Sequence, residues 1–139
     1  MKIDRLLVCG DREWTDRDLI HDTLDNLSPR VVIHGGCQGA DKLACEWADK
    51  WEGRECPLSV AYPANWEKYG KAAGPIRNQQ MIDEGKPDAV VAFHDNLSKS
   101  VGTRDMIVRA QKAGLPVLFV CHEHSAPCDV GDKQKGFPI

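Results

Sequence analysis

An open, mainly parallel α/β sheet with helices on both faces is the fold this sequence predicts. Three observations lead there. Short apolar runs alternate with stretches of helical periodicity, the pattern of βαβ units joined by right-handed crossovers. The strand runs are apolar throughout instead of alternating with polar residues, as expected where both sheet faces are covered. Two of them end in glycine-bearing turns that open into helices: Val31-Val32-Ile33-His34-Gly35-Gly36-Cys37-Gln38-Gly39-Ala40-Asp41, and Ala89-Val90-Val91-Ala92-Phe93 followed by a loop and Val101-Gly102-Thr103-Arg104-Asp105.

Leu6-Leu7-Val8-Cys9 reads as the first strand, ending at Gly10-Asp11-Arg12. Thr15-Asp16-Arg17-Asp18 marks a helix start with Thr15 as the cap. Leu19, Ile20, Thr23, Leu24 and Leu27 give that helix an apolar face, and Ser28-Pro29 stops it. The second strand is Val31 to His34. A second helix runs from Ala40 to about Trp51, with Leu43, Ala44, Trp47 and Trp51 expected in the core and Gly53 closing it. Leu58 to Ala61 is a short third strand, and Tyr62 to Gly70 is expected as a loop. Gly74-Pro75 introduces a third helix, with proline at its first position, carrying Ile76, Met81 and Ile82 inward to about Glu84-Gly85. Ala89 to Phe93 is the fourth strand, Gly102 to about Lys112 the fourth helix closed by Gly114, and Leu115 to Val120 the fifth strand. These elements place one domain at residues 1–121 and a polar C-terminal tail at 122–139.

Composition narrows the function. A chain of 139 residues suffices for one domain burying about two-thirds of its unfolded surface. Its net charge of −3 argues against a nucleic-acid backbone as the main partner, which calls for a basic field. No apolar run approaches the roughly 20 residues of a membrane span, and no signal-peptide pattern precedes the first strand. A cytoplasmic protein is expected. The six cysteines, Cys9, Cys37, Cys45, Cys56, Cys121 and Cys128, form no C-x-x-C pair and read as reduced, mainly structural thiols.

Ligands of such sheets sit beyond the carboxyl ends of the strands, where the connections diverge. That points to the loops at 10–14, 35–41, 62–77 and 94–105. Glycines at Gly35, Gly36 and Gly39 let the backbone approach an anion, and the helix opening at Ala40 faces it with free N–H groups and a positive dipole end. The turn is neither a complete G-x-G-x-x-G, because His34 takes the first place, nor a P-loop, because no Lys-Ser/Thr pair follows. A tight strand–helix connection alone would explain one such turn; a second helix opening at Gly102-Thr103 favours a nucleotide-like ligand.

Five motifs together resemble the YspA-type, YpsA-related branch of the SLOG superfamily over about Leu6 to Val120. They are Asp11-Arg12-x-Trp14-Thr15-Asp16, His34-Gly35-Gly36-x-x-Gly39-Ala40-Asp41, Tyr62-Pro63-Ala64-x-Trp66, Gly74-Pro75-Ile76-Arg77-Asn78 and Gly102-Thr103-x-Asp105-Met106. The superfamily is similar in outline to the lonely guy phosphoribohydrolases and to the DprA DNA-uptake proteins. The resemblance implies a Rossmann-like sheet that binds nucleotides or nucleotide-derived signals, in bacteria and their phages, with a homodimer by analogy. In the phosphoribohydrolases an arginine on one helix and a Pro-Gly-Gly-x-Gly-Thr-x-Glu turn on another form the site. By that analogy Arg77 holds a 5′-phosphate bidentately, and Asp105, or Asp41 at the other turn, positions water or stabilises oxocarbenium character at the ribose C1′. Two departures stand out. Lys99-Ser100-Val101 replaces the Pro-Gly-Gly lead, and Asp105 stands where glutamate is expected.

Each residue also has a plainer role. Asp41 and Asp105 sit where an acid stabilises the first turn of a helix, and Arg77 could be a surface ion pair. Trp14, after Arg12 at the crevice, either stacks on a base or packs under the sheet edge. Trp66 and Tyr69 with Lys68 and Lys71 form either a lid or an ordinary surface loop. His34 and His94 end strands beside the site, as acid–base groups or as hydrogen-bonded structural histidines. Cys37 is conceivable as a reactive thiol at a helix start. Cys121-His122-Glu123-His124 with Cys128 has metal-ligand residue types but no standard zinc spacing, so no metal is expected.

The resulting site comprises Arg77, Asp105 and Asp41 as candidate catalytic groups. Gly10, Arg12, Trp14, Gly35, Gly36, Gly39, Ala40, Asn78, His94, Gly102 and Thr103 are candidate ligand contacts, and no cofactor is implied. The first reading is recognition of a nucleotide or nucleotide-derived small molecule, for sensing or sequestration. The alternative is hydrolysis of the N-glycosidic bond of a nucleoside monophosphate. A third class, an interaction module whose glycine turns are only structural, predicts no ligand.

Overall fold

In the computed structural model, which describes residues 3–36, 39–50, 57–122 and 128–129, five parallel strands stand in one sheet. They are β1 (Arg5–Gly10), β2 (Val31–His34), β3 (Leu58–Ala61), β4 (Ala89–Phe93) and β5 (Val117–Val120). A two-residue strand, β6 (Cys128–Asp129), pairs antiparallel with β5 at Phe119 and Leu118, giving the order β3-β2-β1-β4-β5-β6. The expected open, mainly parallel α/β sheet is the fold of this chain. β6 falls in the segment read as a polar tail.

Helices α1 (Arg17–Leu27) and α2 (Ala40–Lys50) pack on one face and α4 (Ala73–Asp83) and α5 (Val101–Lys112) on the other. The strand pleat assigns the two cores. Leu6, Val8, Val32, Val91 and Phe93 meet Ile20, Leu24, Leu43, Ala44 and Trp47. Leu7, Cys9, Ile33, Val90 and Ala92 meet Met81, Ile82, Met106, Ile107 and Ala110. Burial on both sides explains why the strands read as unbroken apolar runs. Trp47 is buried as expected, its indole N–H donating to Asp25 Oδ1 at 2.8 Å. Trp51, Gly53 and Cys56 lie outside the described residues.

Several boundaries differ from the sequence reading. α1 is capped by Asp16, whose carboxylate accepts the Leu19 N–H at 3.1 Å, and not by Thr15. A carboxylate outcompetes a hydroxyl here because it also meets the positive end of the helix dipole. The expected loop at 62–70 contains a one-turn helix, α3 (Trp66–Tyr69), capped by Asn65 and followed by a 3₁₀ turn at Gly70–Ala72. α4 then begins at Ala73, which makes Pro75 its third residue, still within the turn whose N–H groups have no helical partner. α5 begins at Val101 under a Ser100 cap, one residue earlier than predicted.

The order places β1 and β4, whose following connections run to opposite sides, side by side at the centre of the sheet. That is the topological switch point of a doubly wound sheet, where a crevice opens beyond the strand ends. Among the described residues, no helix is long and apolar enough to cross a membrane.

Candidate functional site

A cavity of about 470 Å³ opens at that point. Its floor is Cys9 and Gly10 at the end of β1 with His94 just after β4. Asp11, Arg12 and Glu13 form one rim, and Lys99, Ser100, Val101, Gly102 and Thr103 the opposite one. Asp41 of α2 and Arg77, Asn78 and Met81 of α4 close the third side. The volume is within the roughly 300–1,000 Å³ usual for small-molecule sites.

Close backbone packing builds this floor. Asp11 N–H donates to Phe93 O at 2.8 Å, and Ala40 N–H donates to Asp11 O at 3.1 Å. The β1–α1 connection is thereby sewn to both β4 and the start of α2. Gly39, at φ +69°, lies directly under the Asp11 and Arg12 carbonyls, where a Cβ would collide with them. Only glycine combines that left-handed backbone with so close an approach.

The Gly35 turn is held from two sides. Asp41 Oδ2 accepts the Gly35 N–H at 2.9 Å, and Arg77 Nη1 donates to Gly35 O at 2.9 Å and to Tyr62 O at 3.4 Å. Arg77 Nε donates to Asn78 Oδ1 at 3.0 Å. One guanidinium thus joins the ends of β2 and β3 to α4. Burial, and then the Asp41 charge, push the Cys9 thiol well above its ordinary range against the opposing effect of Arg77. Cys9 is therefore a protonated, inert part of the floor.

His34 supports the same turn from outside the cavity. Its Nδ1 accepts the Gly36 N–H at 3.1 Å, so the proton sits on Nε2, 2.9 Å from Ser59 Oγ. Ser59 in turn donates to Cys45 Sγ at 3.4 Å. A histidine that donates to a serine cannot also take its proton, so this pair is structural and not an activated nucleophile. Burial lowers the His34 pKa and keeps the ring neutral.

The charged rims are less occupied. Ser100 Oγ accepts the Thr103 N–H at 3.1 Å, and Ser100 O that of Arg104 at 3.4 Å. The N–H groups of Val101 and Gly102, at the positive end of α5, are left for solvent or a ligand. The Arg12 and Lys99 side chains make no ion pair among the described residues.

A profile of the YspA, cpYpsA-related SLOG family matches residues 4–69, which includes β1, the glycine turn and α3. The Gene 61 protein of Mycobacterium phage D29 is 44% identical over 122 residues, spanning 82% of this chain and 94% of that protein. The chain belongs to the YspA, cpYpsA-related SLOG family. Membership points to nucleotide-related binding or processing, and the relative is a phage protein.

Within this SLOG fold, most of the residues singled out in the sequence converge. Gly10, Arg12, Asp41, Arg77, Asn78, His94, Gly102 and Thr103 all line the cavity. Gly35, Gly36, Gly39 and Ala40, expected as ligand contacts, are not among its lining residues, and the Ala40 N–H is taken by Asp11 O.

Trp14 and Asp105 also stand outside it. Trp14 is buried, its ring stacked on His122 at 4.7 Å and tilted against Phe93 at 5.8 Å, with its indole N–H donating to Asp16 O. It packs under the sheet edge, the plainer of its two expected placements. Asp105, the fifth residue of α5, accepts from Asn78 Nδ2 at 2.9 Å and Arg109 Nε at 2.8 Å. It lines shallow hollows on the outer side of α5 and not the crevice. The one-residue earlier helix start also moves it out of the first turn.

Trp66 and Tyr69 are exposed and do not line the cavity; Lys68 Nζ sits 5.1 Å from the Tyr69 ring centroid. Cys37 and Gln38 lie outside the described residues, as do Glu123 and His124. Among the described residues, no group of three or more His, Cys, Asp or Glu is placed to hold a metal ion.

Sequence reasoning missed two groups. Lys99 and Ser100 entered only as departures from a glycine motif, yet they form the α5 rim. His122 was assigned to the tail, yet it bridges Asp95 at 2.6 Å and Asp16 at 2.9 Å while covering Trp14. A histidine right after the last parallel strand was the available signal.

Proposed function

We propose that this protein binds a nucleotide or nucleotide-derived small molecule in the crevice at the ends of β1 and β4, as a sensor or a sequestering protein. The observation that carries the reading is two cations, Arg12 and Lys99, that make no ion pair among the described residues and stand on opposite rims of one cavity that the α5 N–H groups also face. Such donors suit phosphate oxygens, and the less polar lining of Cys9, Gly10 and Met81 suits a flatter moiety. Arg77, engaged with Gly35, Tyr62 and Asn78, then acts by holding the walls in place.

A second reading, cleavage of an N-glycosidic bond, is kept by one observation. Asp41, Asp11 and Glu13 bring carboxylates to the same cavity. Asp41 is the candidate there to position water at the ribose C1′.

The deciding experiment has two parts. Small molecules released by denaturing the purified protein are identified by mass spectrometry, and the protein is incubated with nucleoside monophosphates while free base is followed by chromatography. A co-purifying nucleotide without base release supports binding. Base release that disappears in Asp41→Asn supports the hydrolase. No bound molecule and no saturable binding across nucleoside mono-, di- and triphosphates would overturn both.

A further inference from the structure

We propose that His122 is a positioning residue for the crevice: its imidazolium ties the β1–α1 rim to the β4–α5 rim, and loss of its proton releases the first. The inference rests on the binding reading above and adds to it the control of that site by pH.

Three contacts make the clasp. His122 Nδ1 meets Asp95 Oδ2 at 2.6 Å, and its Nε2 meets Asp16 Oδ2 at 2.9 Å. Its ring lies on the indole of the buried Trp14, 10° from parallel with centroids 4.7 Å apart. An ionised carboxylate only accepts, so both polar contacts are hydrogen bonds only when both ring nitrogens carry protons. The positive ring also suits the face of an indole.

Each carboxylate belongs to one rim of the cavity. Asp16 caps α1 through the Leu19 N–H, and its carbonyl accepts the Trp14 indole N–H. The Trp14 backbone N–H in turn donates to Asp11 O, which connects the clasp to Asp11, Arg12 and Glu13. On the other side Asp95 follows His94, a cavity residue. His94 Nδ1 accepts the Asn96 N–H, and Asn96 O accepts the Lys99 N–H at 3.1 Å.

The two ties are unequal, and this sets the direction of release. Asp95 also accepts the His122 backbone N–H, through Oδ1 at 2.7 Å, so its hold does not depend on the ring proton. Asp16 is joined to His122 through the ring alone. A neutral His122 keeps Nδ1–H on Asp95 and turns the Nε2 lone pair toward Asp16 Oδ2, which repels it. The titratable groups facing the ring are Asp16 at the start of α1 and Asp95 after β4, with His94 acting on Asp95. Glu123 and His124, next in the chain, lie outside the described residues. Hydrogen bonds to the two carboxylates raise the His122 pKa from 6.5, so release comes above that value. A ligand touching both rims binds the clasped state better and, by linkage, favours the proton.

The first part of the test needs no ligand. The full chain is titrated by ¹H–¹⁵N NMR from about pH 6 to about pH 9, the range of a raised histidine. The His122 ring is expected to end in the Nδ1–H tautomer, and the Arg12, Glu13 and Asp16 amides to move with its midpoint. In His122→Arg, whose guanidinium stacks on indole and keeps its charge, those amides should not follow pH. The second part measures adenosine 5′-monophosphate affinity by calorimetry. The ratio of wild type to His122→Arg, in which titration of the phosphate cancels, should fall about fivefold from about pH 6 to about pH 9.

A neutral His122 in the Nε2–H form, or rim amides that ignore its titration, would overturn the proposal. The wild-type titration needs no variant, so it decides the matter even if His122→Arg fails to fold. If the nucleotide binds with a ratio that does not change with pH, the clasp is wrong and the function stands. If the rim amides follow His122 and no nucleoside mono-, di- or triphosphate binds, the clasp stands and the binding reading falls.

Discussion

The Asn78 side chain donates to Asp105 Oδ2 across 2.9 Å, and this contact turns the Asp105 carboxylate toward α4 and away from the crevice. Arg109 Nε meets the same oxygen at 2.8 Å, and Arg109 Nη1 donates to Gln79 Oε1 at 3.0 Å. A polar seam thus joins α4 to α5 beside the cavity, and Asn78, itself buried, also donates to Gly102 O at 3.3 Å.

Asp105→Ala is accordingly expected to weaken the fold more than the ligand contact. It leaves a buried Asn78 donor without its carboxylate, which costs about 1–3 kcal/mol. The exposed side of the Arg109 pair adds little. Urea denaturation should show a loss in that range, with ligand affinity, measured by calorimetry, within about threefold of wild type. An unchanged stability together with abolished binding or turnover would return Asp105 to the site.

A second relationship sets a pH dependence. His122 lies between Asp95 and Asp16, and hydrogen bonds to these two carboxylates, Asp95 first, raise its pKa. The Asp16 pKa is lowered by the Leu19 N–H and then by His122, and that of Asp95 is lowered by His122 against the effect of burial. A histidine with a raised folded pKa contributes stability that is full below 6.5 and is lost as pH rises through the folded value. The two aspartates contribute stability above 3.8 that is lost as pH falls through their lowered values.

The melting-temperature difference between wild type and His122→Gln should therefore be largest between about pH 4 and 6.5 and shrink at higher pH. It should also shrink in high salt, because the cluster is half exposed. His34 opposes it, since its lowered pKa makes it stabilising above 6.5 and destabilising as pH falls. Carrying out the comparison as a difference from His122→Gln cancels that contribution.

The strands and the crevice were legible because they follow from local chemistry. β-branched apolar runs covered on both faces and glycines at φ +72° and +69° leave direct marks in the residue order. The direction of Asp105 was not legible. It is set by Asn78, 27 residues away in sequence, which meets the carboxylate only once α4 packs against α5. Nor was the role of His122, whose partners Asp16 and Asp95 are 106 and 27 residues away in sequence. Arg77 falls between the two. Its presence at the site was readable from Gly74-Pro75-Ile76-Arg77-Asn78, while its engagement with Gly35 and Tyr62 is a product of the tertiary fold.

The glycines are expected to separate sharply on substitution. Gly39→Ala places a methyl against the Asp11 and Arg12 carbonyls at a left-handed φ, and a loss of about 2 kcal/mol or more is expected. Gly102→Ala meets open space in a helical turn and should raise stability by up to about 1 kcal/mol. Thermal denaturation of the two variants side by side checks this; equal effects would mean that the α2 turn does not approach β1 as closely as described.

Arg77→Lys tests whether the guanidinium holds the walls of the cavity. Arg77 reaches the Gly35 and Tyr62 carbonyls and Asn78 Oδ1 with two different nitrogens of one rigid plane. An ammonium is a single point with different reach, so it cannot keep all three contacts. Stability should fall by about 1–3 kcal/mol, the scale of lost hydrogen bonds from a charged donor. Amide hydrogen exchange should quicken at Gly35 and Tyr62, the ends of β2 and β3, and remain slow in β4 and β5. If exchange is unchanged there while affinity for a phosphorylated ligand falls tenfold, Arg77 contacts the ligand directly and its bonds to the turn are incidental.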